Sequence, residues 1–373
     1  MELKKIKLPF KIKKAVLALG PQKKNRVCFT RGNYAYMSPL HADLNNPGDF
    51  FSFEKSVKYF LKKNPKIIAC DLHPEYQSTK YGQNLQLTAY SLQLIQHHHA
   101  HIASCMVENS LKNQKVIGVA FDGTGLGADN RLWGGEFFIC NYKNFKRAAH
   151  LKEIPLLGAE RAISEPIRLA IIWLYLIYKD RFLNLGLDLL KKIKREKWGV
   201  LKKMYLAGFN SPLTSSMGRL FDAAASLVLG KAEAKFEAEL AMELEKIAVS
   251  CKLSAISYKF KISKDNDTYI LDPALMFKEI IADLKNREPR EKVAYRFHLT
   301  IAQMARKMCL ILRKENKINT VVLSGGVFQN NLLLRMVLDL LYKEDFRVFT
   351  HNKLSSNDSG ISLGQAAIAN FRD

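Results

Sequence analysis

Apolar positions along this chain fall into two groups of short runs, and each group alternates with longer stretches at helical spacing. The first group opens with Ala15-Val16-Leu17-Ala18-Leu19, closed by Gly20 and a polar turn over residues 22–25. Two further strand-like runs lie within residues 26–38, and a polar loop containing Pro47, Gly48 and Asp49 leads to an expected helix over residues 53–63. Residues 66–70 read as a buried strand, with Asp71-Leu72-His73-Pro74 at its carboxyl end. Residues 96–104 read as helix.

The second group starts at Val116 (VIGVAFDGTGLGADN, then WGGEFFI). Residues 164–250 carry mostly helical periodicity. They include an apolar helix near Leu169, a lysine-rich one, a break at residues 215–219, a helix over 221–229 and an acidic helix over 237–245. Some β character at 251–275 precedes a long helix from about 290 to 315. The strand 320–323 then meets the turn Ser324-Gly325-Gly326, and a βα unit follows with a strand at 346–350, a loop at 355–360 and a helix at 361–370. Two groups of strands, each alternating with helices, predict an α/β protein of two related lobes with a cleft between them.

Composition narrows this little. At 373 residues and 48% hydrophobic the chain can bury a substantial core. No stretch approaches the roughly 18 apolar residues of a membrane span, so no membrane association is expected. The lysine-alternating start lacks the apolar core of a secretory leader, and six scattered cysteines without a C-x-x-C pair suit reduced thiols in a cytoplasm. A balance of 58 Lys+Arg against 35 Asp+Glu, net +23, favours acidic partners. Most of that charge is lysine on helix-like segments with few aromatics, so a solvated face is the leading reading and a nucleic-acid surface the lesser one.

Candidate chemistry centres on His97, His98, His99 and His101, four of the nine histidines. His97 and His101 are four apart on the expected helix, so both imidazoles can reach one metal ion; a polar packing face is the alternative. Asp122-Gly123-Thr124-Gly125 follows the apolar run 116–121, either as a plain hairpin turn or as a backbone nest for an anion, with Asp122 as a hard oxygen donor. Ser324-Gly325-Gly326-Val327 also follows a buried strand, where open α/β sheets bind ligands, or is simply a tight turn. Asp358 sits where it would cap the last helix or supply a second carboxylate. Two imidazoles with two carboxylates suit iron or zinc better than magnesium or calcium. No G-x-S-x-G, GxxxxGK[ST] or first-strand G-x-G-x-x-G motif is present.

Together, QHHHAHIAS, FDGTGLG…LWGGEF, TSSMGRLFDAAASLVLG, LSGGVFQNNLLL and SSNDSGISLGQA resemble the carbamoyltransferase domain of the HypF hydrogenase-maturation family, as do LGPQKKN and DLHPEYQST upstream. The matches run from about Ala18 to Ala367, in family order. The resemblance implies a two-lobed actin-like ATPase/sugar-kinase fold (ASKHA) with RNase H-like subdomains around a nucleotide cleft. We expect a first lobe over residues 1–113, including the histidine helix, and a second over 114–373 with a helical insertion. Carried over by position, it makes His97, His101, Asp122 and Asp358 the ligands of a divalent iron or zinc ion. It sets the AMP moiety of carbamoyl-adenylate against Gly123, Thr124, Gly125, Ser324, Gly325, Gly326 and Val327. Gly218 and Arg219 belong to its rim, and Glu237, expected in a helix, touches the ribose.

The implied reaction passes a carbamoyl group from carbamoyl-adenylate to the C-terminal cysteine of a HypE-like acceptor. The family's acylphosphatase-like, zinc-binding and YrdC-like adenylate-forming modules have no counterpart in this sequence, so a separate YrdC-like protein is the expected donor source. Two glycine-bearing family strings differ here: Y-E-G-Q-A-A reads Phe236-Glu237-Ala238-Glu239-Leu240-Ala241, and G-G-D reads Gly158-Ala159-Glu160. The family's H-x-G-D-L reads His41-Ala42-Asp43-Leu44. Rival readings are a TsaD-like tRNA-modifying enzyme, a small-molecule O-carbamoyltransferase, and a non-catalytic nucleotide-binding subunit.

Overall fold

Val16-Leu17-Ala18, with no solvent exposure, forms the middle strand of a six-stranded sheet in the computed structural model, which describes residues 2–87, 90–191, 193, 195–252 and 255–372. Lys192 and Lys194 of the lysine-rich segment, and residues 253–254 of the expected β stretch, lie outside the described residues. Five strands of this sheet run Tyr34–Met37, Cys28–Arg31, Val16–Ala18, Ile67–Asp71 and Ser91–Ile95 in space, with Lys4–Lys7 added beyond the first. The first two pairings are antiparallel and the last two parallel.

The second sheet repeats that plan. Phe145–Leu151, Leu132–Cys140, Val116–Leu126, Thr320–Ser324 and Arg347–Phe349 lie side by side with the same sequence of two antiparallel and two parallel pairings. The hairpin Lys261–Asp265/Thr268–Asp272 extends its outer edge. Identical order and direction in both sheets are the structural content of two related lobes.

Two helices fill the space between the sheets. His97–Glu108 packs on the second sheet, Ile361–Arg372 packs on the first, and the two pack on each other. Every residue of His97–Glu108 is therefore buried, polar ones included. Among the helical segments, Ile167–Tyr178, Met217–Leu229 and Arg290–Asn316 share a separate core with the outer face of the second sheet. No helix among the described residues is long and apolar enough to cross a membrane.

Several boundaries differ from expectation for identifiable reasons. The helix expected at 53–63 runs Pro47–Leu61, because Asn46 caps it through Gly48 and Asp49 N–H groups and Pro47 suits the first turn. The break read at residues 215–219 is a helix start: Ser216 caps Met217–Leu229 by accepting from the Arg219 N–H. Asp122-Gly123-Thr124-Gly125 is no turn at all, since the strand continues to Leu126 and pairs Gly125 with Trp133. Glu237 lies before its helix, which spans Glu239–Val249.

Candidate metal centre and nucleotide cleft

Gln96 begins the histidine helix by accepting the His99 N–H at 2.8 Å, which fixes the first turn so that His97 and His101 share one face. His97 Nδ1 is 2.7 Å from Asp71 Oδ2, a fully buried carboxylate at the carboxyl end of its strand. A carboxylate only accepts, so Nδ1 carries a proton, and the neutral ring offers the Nε2 lone pair to a metal. That Nε2 lies 3.4 Å from Asp122 Oδ2 and 3.8 Å from Asp358 Oδ1. His101 Nε2 lies 3.3 and 3.5 Å from the same two oxygens.

Neither Nε2 has a hydrogen-bond partner, although both atoms are buried. All four ligand atoms fall within 4.8 Å of one another. Two orphaned ring nitrogens facing two carboxylates is a costly arrangement unless a cation sits among them. The donor types and spacing fit a single N/O-ligated metal ion. Without one, burial disfavours charge on both rings, but Asp71, Asp122 and Asp358 outweigh it at His97, and Asp122 and Asp358 at His101, lifting both above the ordinary histidine range. The two histidines in turn hold Asp122 well below the usual carboxylate range against its own burial. Asp122 also accepts the Gly326 N–H at 2.9 Å through Oδ1, joining the cluster to the glycine loop.

His98 and His99 do not join this set. His98 contacts the Gln96 amide, and burial, aided by His97, pushes it down to about 3. His99 reaches the Asn141 carbonyl at 2.7 Å and is pushed down by burial to about 4. Asp358 is not the helix cap: Asn357 accepts the Ser359 N–H, which leaves the Asp358 carboxylate facing the histidines.

Close backbone approach explains two glycines. A Cβ on Gly125 would stand 2.7 Å from the His97 and His98 rings. Gly325 has φ +107°, and its Cβ would meet the Phe121 carbonyl at 2.2 Å. Gly125 thus faces the histidine rings, and Ser324 is buried beside His101 with its Oγ 3.4 Å from Nδ1.

In front of the carboxylates opens a cleft of about 960 Å³. Asp122, Gly123, Thr124, Asp358, Gly326 and Val327 line it together with Gly218, Arg219 and Glu237, of which Gly218 lies close against Gly123. Arg219 is almost wholly buried. Its Nε is 3.0 Å from Asp222 Oδ2 and its Nη2 3.8 Å from Glu237 Oε1, while Nη1 has no partner. Burial pushes Asp222 up to about 6, partly opposed by Arg219. As a guanidinium at the cleft lining it lends the cleft positive charge, while its Nη1 atom is itself buried. Ala159 and Ala238, the positions where the resembling family carries glycine, also line the cleft, with φ +48° and +68°.

Sequence reasoning did not assign roles to Asp71, Asp222, His73 or Tyr76, although His73 and Tyr76 stack at 4.3 Å on the cleft's edge. The position of Asp71 at the carboxyl end of a buried strand was the available signal.

The chain matches the family described as "HypF Kae1-like domain" over residues 11–108 and that described as "Carbamoyltransferase, Kae1-like Domain, second subdomain" over residues 118–365. It is 32% identical to Carbamoyltransferase HypF of Synechocystis sp., covering 96% of this chain and 48% of that protein. A "Carbamoyltransferase HypF homolog" of Cupriavidus necator is also 32% identical, over 95% of this chain and 91% of that one. Among solved structures, full-length HypF in a phosphate- and nucleotide-bound form superposes with TM-score 0.91 and 38% identity, over 98% of this chain and 47% of that one. HypF of T. kodakarensis gives 0.87 and 28%, over 98% and 48%. The Cupriavidus homolog apart, the chain spans about half the length of the curated relatives described here.

Proposed function

The chain belongs to the HypF carbamoyltransferase family as its Kae1-like part, and on that premise we propose that it transfers a carbamoyl group from carbamoyl-adenylate to a protein thiol during hydrogenase maturation. The observation that carries this reading is the pair of orphaned imidazole nitrogens of His97 and His101, closed by Asp122 and Asp358 at the wall of a nucleotide-sized cleft. Those four residues would hold iron or zinc. When bound, such an ion supplies Lewis acidity and a fixed positive charge at the reacting end of the cleft.

The chain's own groups do the positioning. Gly123, Thr124, Gly326 and Val327 offer close backbone surfaces to the AMP moiety, and Glu237 stands at the cleft wall where a ribose hydroxyl can donate to it. Arg219, held by Asp222, lends positive charge to the cleft lining, which favours the adenylate phosphate as its charge grows on leaving. The acceptor's thiolate sulfur attacks the carbamoyl carbon, the bond from that carbon to the phosphate oxygen breaks, and AMP departs with the electron pair. The nucleophile comes from a HypE-like C-terminal cysteine. Burial raises the Cys28, Cys70, Cys105, Cys140 and Cys309 thiols of this chain, making them poor nucleophiles. A YrdC-like protein supplies the adenylate.

The test is to incubate the protein with carbamoyl phosphate, ATP and a HypE-like acceptor, with and without a YrdC-domain protein, and to weigh the acceptor. One carbamoyl mass on its terminal cysteine, dependent on the added domain, is the expected result. No modification under either condition, with metal and nucleotide bound, would refute the proposal. In parallel, His97→Ala and Asp358→Ala should each lose bound metal; unchanged metal content refutes the ligand assignment.

A further inference from the structure

Carbamoyl transfer as drawn above leaves one line of buried polar groups without a role. Glu108, at the other end of the histidine helix, accepts backbone N–H groups from Asn352, from Lys353 at 2.5 Å and from Leu354 at 3.2 Å. Its Oε2 also lies 3.0 Å from His351 Nδ1. His351 Nε2 is 2.8 Å from Ser324 Oγ, and that hydroxyl is 3.4 Å from His101 Nδ1. The four side chains thus form a continuous line ending on one of the two histidines of the cluster.

The line has a direction. Burial pushes the Glu108 carboxyl up, but His351 and the backbone donors outweigh it and hold it below its usual range. An ionised carboxylate accepts only, so His351 Nδ1 carries a proton and donates it. The opposite ring nitrogen then accepts from the Ser324 hydroxyl. With its single proton committed there, Ser324 has only lone pairs left for His101. A neutral His101 must therefore keep its proton on Nδ1, which leaves Nε2 bare, and Nε2 is the atom that faces Asp122 and Asp358 without a partner.

We propose that His351, acting through Ser324, is a positioning residue that fixes the tautomer and ring orientation of His101. It does for His101 what Asp71 does for His97 by direct contact at 2.7 Å. The inference rests on the metal-centre reading above. Outer hydrogen bonds of this kind set the basicity and aim of a ligating histidine, and losing one weakens metal binding about 10–100-fold. The contact to His101 is longer than the Asp71–His97 contact by 0.7 Å, so His101 is the more loosely held of the two arms.

The experiment uses the whole chain with zinc alone, in a chelator competition, alongside a two-bond 15N–1H NMR spectrum of the imidazoles in the metal-free protein at alkaline pH, where the rings are neutral. His351→Leu should weaken zinc binding about 10–100-fold and let His101 populate both tautomers. His351→Gln should stay within about threefold of the parent, because its amide N–H can donate to Glu108 and its carbonyl can accept from Ser324. Ser324→Ala removes a single oxygen and carries the same expectation as His351→Leu if that variant does not fold. Zinc affinity and a His101 tautomer unchanged in His351→Leu or Ser324→Ala would overturn the inference while leaving the metal centre standing. A parent protein that binds no zinc overturns both.

Discussion

Replacing Gly364 by alanine should destabilise the protein, although helix propensity argues the opposite. Gly364 lies in Ile361–Arg372, where an ordinary Gly→Ala change would add about 1 kcal/mol. Here the new Cβ would lie 1.9 Å from the Ala100 carbonyl oxygen, 2.7 Å from its carbon and 3.0 Å from its Cα. All three atoms are backbone, so no rotamer change relieves the overlap. Restoring an ordinary contact near 3.4 Å requires the two helices to part by about 1.5 Å. Overpacking of that kind costs about 1–3 kcal/mol, and an immobile carbonyl places it at the upper end, for a net loss of about 2 kcal/mol. Ala100 sits between His97 and His101, so the same displacement would spoil ligand positions that tolerate only about 0.2 Å. Urea unfolding in chelator measures the first effect and zinc competition the second. A Gly364→Ala protein as stable as its parent would show that the helix contact is looser than described and refute the reasoning.

Asp71→Ala should weaken zinc binding about 10–100-fold with little change in nucleotide affinity, measured by competition with a chromophoric chelator. Ala238→Gly should stabilise the chain by about 0.5–1 kcal/mol in urea unfolding, since relief of a left-handed alanine exceeds the added unfolded-state entropy. Glu136 is buried with Oε2 2.6 Å from Arg147 Nε, and although burial pushes its carboxyl up, Arg147 outweighs it and holds it below its usual range. Its stabilisation is therefore present above the unfolded value of about 4.3 and lost as pH falls through the lower folded one. Glu136→Gln should cost about 3 kcal/mol at pH 7, with the gap closing in acid unfolding curves below about pH 4.

The strands of both sheets were legible because each is a short apolar run bounded by glycine or polar residues, as with Val16–Ala18 and Thr320–Ser324. Their spatial order was not, since nothing local to Val16 states that it pairs with both Cys28 and Ile67 flanks. At the site, the i,i+4 spacing of His97 and His101 announced itself, Asp122 and Asp358 were open candidates beside it, and a family resemblance joined the four into one set. Spacing alone left Asp122–Gly125 as a hairpin turn or an anion nest, because a glycine such as Gly125 that admits the His97 and His98 rings looks the same in one dimension as one that bends a chain. Asp71, Glu108 and His351 make their contacts across 26 to 243 positions of sequence, which no window of periodicity can register.

The four clustered side chains are supplied by a helix near residue 100, a strand near 120 and a loop near 358. On a ribosome adding about 5–20 residues per second, roughly 250 residues separate the emergence of His101 from that of Asp358, an interval of roughly 10–50 s. For that period the histidine helix lacks both its last carboxylate and the helix that covers it. Birth order thus leaves the nascent chain with two histidines and one carboxylate of the cluster. If the cluster holds a cation as proposed, which one it takes depends on what the cell offers during synthesis as well as on the completed geometry.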